Sequence, residues 1–376
     1  MPSSRAALRV GFDARALHSP AAGVRRYVAQ LMGAIGRVAP ETTLIAVGVR
    51  GSGDLPPGVI AHRARGSLPT NIGWMVSGIP LATRGLQLDL FHAPAYTAPL
   101  AGVPPVVLTV HDVSYARRAS DYPYKLDPVR RWFYRASVRH AAAIVTDSAF
   151  SAGEIESAYG IDRSQIAVIP LAADARFRPR DAAPTLPELA GVPYVLHIGD
   201  LHARRRAALL LDALLRLRAQ HPSLTRHVIV FIGLDRGEGP ALLARAEAAG
   251  APDAVRLLGP RTDEDLVSAL QGASAFVYAS RYEGFGLPVL EAMACGTPVV
   301  AAAEASVPEV VGDGGRLVRD ATAETFAAAL GSVLLDSAEA ARLRQTGVRR
   351  AAQFSWERTA RETLDVYARV AATRRL

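Results

Sequence analysis

The chain has 376 residues, half of them hydrophobic, and no apolar run approaches the roughly 18 residues that a membrane-spanning helix needs. That much apolar material suits two domains of roughly 170 to 200 residues better than one core. The formal charge of +8, carried by 43 basic residues of which only Lys125 is a lysine, points to anionic partners. With no aromatic RNA-binding string, zinc-ligand spacing or basic tail, nucleic acid is not the expected one.

The start, MPSSRAALRV, lacks a long apolar core followed by a small-residue cleavage site, which predicts residence in the cytoplasm. From there to about residue 170, short aliphatic runs (LRVGF, TLIAVGV, PPVVLTV, AAIVT) alternate with longer helix-like stretches, the pattern of a parallel α/β sheet. Residues 130–140, RRWFYRASVRH, mix arginines with Trp132, Phe133 and Tyr134 on an expected helix. It is read as packing on the first sheet, with peripheral contact to an anionic inner-membrane face as the other reading. Pro170, Pro179, Pro184, Pro187 and Pro193 then punctuate a stretch of little periodicity, which places a domain boundary near residue 175.

A second series of strands follows: YVLHIGD, HVIVFIG, VRLLG, AFVYAS and TPVVAAA. The organisation expected is 1–175 as an N-terminal acceptor-binding domain, 176–355 as a C-terminal donor-binding domain and 356–376 as a helix returning to the first. Two such α/β domains enclose a cleft, with binding loops at the carboxyl ends of their strands. Cys295, the single cysteine, is expected to be a small buried residue without chemistry.

The densest signal is AFVYASRYEGFGLPVLEAMACGTPVVAAA, residues 275–303. A strand over Phe276 to Ala279 runs into a glycine-bearing loop, and a helix opens around Leu287 with Pro288 suited to its first position. Gly284 and Gly286 allow close backbone approach, and the amides of a helix start suit a diphosphate, although the same features also make a tight turn. Two carboxylates flank this point. Glu283 lies in the loop, and Glu291 is one turn inside the helix, where its oxygens can accept from vicinal hydroxyls such as those of a ribose.

EGFGLPVLE resembles the E-x7-E motif of the retaining GT-B glycosyltransferases of family 4, and the similarity extends over nearly the whole chain. TVHDVSY, VRHAAAIVTDSAFSAGEI, IAVIPLAAD and SVPEVVGDGGRLV carry it further. The resemblance implies two Rossmann-like domains and a nucleotide diphosphate sugar donor. Glu291 would hold the ribose, Glu283 the donor sugar, and the amides of Phe285, Gly286 and Leu287 would face sugar and phosphate. His111 would contact the donor sugar near the reacting carbon and help orient the acceptor.

Two departures stand out. HIGDLHARRRAALL has Asp200 where the family commonly places a diphosphate-binding arginine or threonine, and Arg204 and Arg205 where it has an Arg-Lys pair. Arginine bridges two oxygens where lysine is a point charge. AAGVRRYVAQL is similar to the family's glycine loop. Gly23, Arg26 and Tyr27 match, but Arg25 replaces the second glycine and places a cation on the acceptor side.

The D-x-D string of Asp263 and Asp265 follows a strand and opens a helix, so capping is expected and no catalytic metal is. GLDRGEGP lacks the order of a dinucleotide fingerprint, no G-x-S-x-G or H-E-x-x-H string appears, and a pyridoxal Schiff base has only Lys125 to form on. The expected activity is retaining, metal-independent hexosyl transfer from a GDP- or UDP-sugar, with a mannosyl donor favoured by resemblance, to an acceptor hydroxyl. It needs no cofactor beyond the co-substrate. The alternatives are a nucleotide-sugar epimerase and a non-catalytic sugar-nucleotide-binding protein of the same fold.

Overall fold

The computed structural model describes residues 7–19, 22–49, 55–64, 70–117, 127–180 and 186–373. Lys125, Pro184 and parts of segments 52–80 and 114–128, the first-domain loops in which acceptor choice is expected to lie, are outside the described residues. The chain forms two compact units, one of Met1–Leu171 with Ser355–Leu376 and one of Ala172–Phe354.

The first unit is built on a seven-stranded, wholly parallel sheet. Its strands are β1 (Arg9–Asp13), β2 (Thr43–Val47), β3 (Ile60–His62), β4 (Leu90–Ala93), β5 (Val106–Thr109), β6 (Ala143–Thr146) and β7 (Ile166–Val168), in the order β3-β2-β1-β4-β5-β6-β7. Apart from the edge strands β3 and β7, the strands are largely buried, because helices cover both faces of a parallel sheet and each strand can therefore be a continuous apolar run. The helix Trp356–Thr373 packs on the helix Ala22–Val38, with an Arg37–Glu357 ion pair of 2.9 Å at the rim and Thr359 Oγ1 donating to the Pro170 carbonyl.

Beneath these helices runs a buried polar chain. Tyr367 of the last helix bonds His92 Nδ1 on β4, His92 Nε2 meets Thr109 Oγ1 on β5 at 2.7 Å, and Tyr27 OH meets the same oxygen at 2.9 Å. Burial, with a smaller push from His111, holds His92 down to about 3, so this ring is neutral and can donate from one nitrogen while accepting at the other.

The helix Pro128–His140 buries Phe133, Ser137 and Val138. It turns Val129 and Trp132 outward, 61% and 62% exposed, beside the exposed Arg130, Arg131 and Arg135. One face of this segment thus packs as the sequence suggests, and its other face does not.

The second unit holds a six-stranded parallel sheet. Its strands are β8 (Tyr194–Ile198), β9 (Val228–Ile232), β10 (Val255–Gly259), β11 (Ala275–Tyr278), β12 (Val299–Ala302) and β13 (Arg316–Val318), in the order β10-β9-β8-β11-β12-β13. The order reverses between β8 and β11, the switch point at which loops leave in opposite directions and open a crevice. Glycines let the carboxyl ends of β8 and β9 close up. Gly199 N donates to Ile232 O at 2.9 Å, and Gly233, at φ +151°, lies so near Gly199 that a Cβ there would meet Gly199 C at 2.5 Å and Gly199 O closer still. Among the described residues, no helix is long and apolar enough to cross a membrane.

Candidate active site

In the second unit the loops after β8 and β11 meet at the switch point. Arg281 N donates to the Arg204 carbonyl at 3.0 Å, joining them through the backbone. After β8 the chain makes a short turn at Ala203–Arg205 and enters a helix, Ala207–Gln220, through Arg206 in the left-handed conformation (φ 52°, ψ 45°). A non-glycine residue held there costs on the order of 1–2 kcal/mol and needs side-chain anchors. Arg206 has them. Its Nε donates to Ala279 O at 2.6 Å and its Nη2 pairs with Glu304 at 2.5 Å.

The sequence leaves open that Arg204 and Arg205 are a solvated helix start, but Arg205 is 9% exposed. Its Nη1 lies 2.6 Å from Glu283 Oε1 and also bonds Tyr278 OH, while Arg204 Nη1 lies 3.6 Å from the same carboxylate oxygen and donates to Tyr282 O. Ser280 Oγ donates to Glu283 Oε1 as well, at 2.5 Å. A buried carboxylate is tolerable only with such partners, and the cluster puts two guanidiniums beside the first glutamate of E-x7-E.

The loop then turns at Gly286 (φ 103°, ψ 45°), which caps the helix Leu287–Ala294 without any side-chain hydrogen bond. Glycine is needed for that φ and leaves the helix start without a competing side chain. Pro288 is the second helical residue rather than the first, because Gly286 itself takes the cap position. Phe285 turns its ring inward, edge-on to Phe354 at 5.9 Å, while Ser306 Oγ, 2.9 Å from both the Glu283 and Phe285 carbonyls, braces the loop from behind. Gly284 and Leu287 are partly exposed, and Glu291 is fully within the helix and 1% exposed.

Asp200 points away from this cluster and pairs with Arg236 at 3.0 Å. Asp265 and Thr262 form a capping box and Asp263 pairs with Arg176 at 3.2 Å, so both aspartates of the D-x-D string serve the start of their own helix and its surroundings.

In the first unit, His111 follows β5. Its Nδ1 lies 2.7 Å from Asp147 Oδ2 and its Nε2 3.1 Å from Pro94 O, with the Tyr27 ring edge-on at 4.8 Å. The segment expected to be a glycine loop is already helical. Gly23, Arg25 and Arg26 lie in the first turns of Ala22–Val38, because Tyr27, Val28, Leu31, Met32 and Ile35 form a fully buried stripe whose packing outweighs the poor helix propensity of Gly23. Arg25 is exposed and donates to Ser19 O at 2.5 Å, so its guanidinium folds back on its own chain.

Sequence reasoning missed Ser280, Arg206, Glu304 and Asp147. Arg206 stands beside the basic pair, and Asp147 lies in the quoted VTDSAF string, but nothing local tells which partner either takes.

Known proteins match both units. The description "Glycosyl transferases group 1" fits residues 184–350, and "Glycosyltransferase Family 4" fits residues 21–177. The chain is 32% identical to the O-antigen chain mannosyltransferase B of Escherichia coli over 76% of each chain. It is also 32% identical to a D-inositol 3-phosphate glycosyltransferase of Nocardiopsis dassonvillei, over 77% of this chain and 72% of that one. Against an MMP alpha-(1->4)-mannosyltransferase of Mycolicibacterium hassiacum the identity is again 32%, over 71% and 67%. Among solved structures, WaaG, a glycosyltransferase of lipopolysaccharide biosynthesis, superposes with a TM-score of 0.72 at 16% identity, over 95% of this chain and 99% of that one. Anabaena HepE with UDP-glucose gives 0.69 at 18%, over 96% and 99%. The chain belongs to the group 1 glycosyltransferases of family 4, enzymes built on the GT-B fold.

Proposed function

We propose that the protein transfers a hexosyl group, with retention and without a catalytic metal, from a nucleoside diphosphate sugar to an acceptor hydroxyl. The observation that carries this reading is the buried Arg205–Glu283–Ser280 cluster set beside the start of Leu287–Ala294, which no side chain caps. Guanidiniums and the positive end of a helix suit the charge that develops on a leaving diphosphate, and a carboxylate beside them suits the sugar hydroxyls. In transfer, the bond from the anomeric carbon to the phosphate oxygen breaks, the acceptor oxygen bonds to that carbon, and its proton passes to the departing phosphate oxygen. The names of two relatives support a mannosyl donor.

Calorimetric titration with UDP, GDP and ADP, without metal, tests the donor site. Selective binding of one nucleotide is expected, weakened at least about 10-fold in Glu291→Ala through loss of charge-assisted bonds to the ribose. No binding by any of the three would sink the assignment. The outward Val129 and Trp132 among arginines support a resting contact with an anionic bilayer. Sedimentation with phosphatidylglycerol vesicles, expected for the native chain and lost in Trp132→Ala, checks it; equal sedimentation of both refutes it.

A further inference from the structure

With Asp147 ionised, both ring nitrogens of His111 face atoms that can only accept a hydrogen bond. Nδ1 faces the Asp147 carboxylate at 2.7 Å, and Nε2 faces the Pro94 carbonyl at 3.1 Å. A neutral imidazole carries one N–H and satisfies one of these, leaving a lone pair against an acceptor inside a site where the ring is 9% exposed. The other oxygen of Asp147, Oδ1, is buried without a hydrogen-bond partner among the described residues, so the ring supplies the compensation that this carboxylate has.

We propose that Asp147 is a positioning residue that holds His111 as a fixed imidazolium, so that His111 meets its substrate as a cation beside the oxygens of the sugar or phosphate, and never as a base. This rests on the transfer reading above. It assigns the acceptor's proton to the leaving phosphate, because no lone pair is left on the ring to receive it.

The surroundings agree. Burial disfavours charge on His111, but the attraction and hydrogen bond of Asp147, then Asp112 beside it and the Pro94 carbonyl, outweigh it and raise the ring above its ordinary value. Burial raises Asp147 as well, and the charge on His111 draws it back. The other groups packed around the ring are His92 on β4, Tyr27 at 4.8 Å from the Ala22–Val38 helix and Tyr96 at 6.0 Å from the loop after β4. His92 is held near 3 and Tyr27 is pushed far up by burial, so neither changes charge near neutrality. A raised folded value means that the charged form is complete below the ordinary histidine range and is lost as pH rises through the folded value.

Nitrogen-15 spectra of the histidine rings in the full chain, with His111 assigned by its absence in His111→Gln, test this directly. Two protonated nitrogens are expected for His111 at pH 7; one protonated and one bare nitrogen would overturn the proposal. Asp147→Asn supplies the kinetic readout. Its kcat is expected to fall about 10- to 100-fold at pH 8 and to recover toward pH 6, with Asp147→Glu restoring the native profile, since loss of the partner lets burial lower the ring. A fall that is the same at every pH would also overturn it. Nucleotide affinity, measured by the same titration as above, should be unchanged in Asp147→Asn. If the native chain binds no nucleotide, the transfer reading fails while the ring spectrum still decides its charge.

Discussion

Glu283→Gln is expected to lower kcat by about 10²- to 10³-fold, the usual loss when one group that stabilises a transition state is removed, while leaving nucleotide affinity intact or tighter. The reason is the shared oxygen. Arg205, Arg204 and Ser280 all converge on Glu283 Oε1, so the carboxylate restrains the guanidiniums that the leaving diphosphate would otherwise engage. Glutamine keeps the shape and removes the charge, which frees Arg205 for phosphate and denies the sugar hydroxyls a strong acceptor. Arg205→Met does the reverse. It strands a buried carboxylate, at a cost of about 3–5 kcal/mol of stability, and nucleotide binding should be lost with it. Single-turnover kinetics and titration on both variants separate the roles. Equal losses of kcat and nucleotide affinity in Glu283→Gln would show that the carboxylate serves the nucleotide and not the sugar.

The second large effect is expected at a residue that touches no ligand. Gly233→Ala places a methyl 2.5 Å from Gly199 C and 2.9 Å from Asp200 N, both backbone atoms, at a φ of +151° that alanine avoids. Nothing flexible lies in the way to yield, so the carboxyl ends of β8 and β9 must part or the variant must unfold. A loss of about 3 kcal/mol or more is expected, at the upper end for single substitutions, seen as a lower thermal midpoint of the second unit. Where the variant does fold, the displaced β8 loop carries Arg204 and Arg205 with it, and nucleotide affinity should fall too. A native midpoint with native affinity would refute the packing argument.

The parts of the molecule that were legible in the sequence are those governed by local pattern. Strands such as HVIVFIG and AFVYAS are buried on both faces and so appear as apolar runs, and the loop and helix start at Gly286 follow from a glycine before Leu-Pro. The illegible parts depend on distant partners. That Arg205 would be buried against Glu283, 78 positions on, and Arg206 held left-handed by Glu304 follows from strand order, which brings β8, β11 and β12 together. The first turns of Ala22–Val38 were read as a loop because AAGVRRYVAQL is similar to the family's glycine loop. Only the sheet and the last helix, which bury Tyr27 and Leu31, settle the matter.

That last helix also sets an order of events during synthesis. The second unit, Ala172–Phe354, is one continuous stretch and can close as soon as it has left the ribosome. The first unit must wait with an unfinished surface, because Tyr367, which bonds His92 beneath β4, is made after the whole of the second unit. The first unit, although its sheet precedes the second unit in the chain, is therefore completed after it, and until then the apolar stripe of Ala22–Val38 remains open to chaperones or to mispairing with another nascent copy.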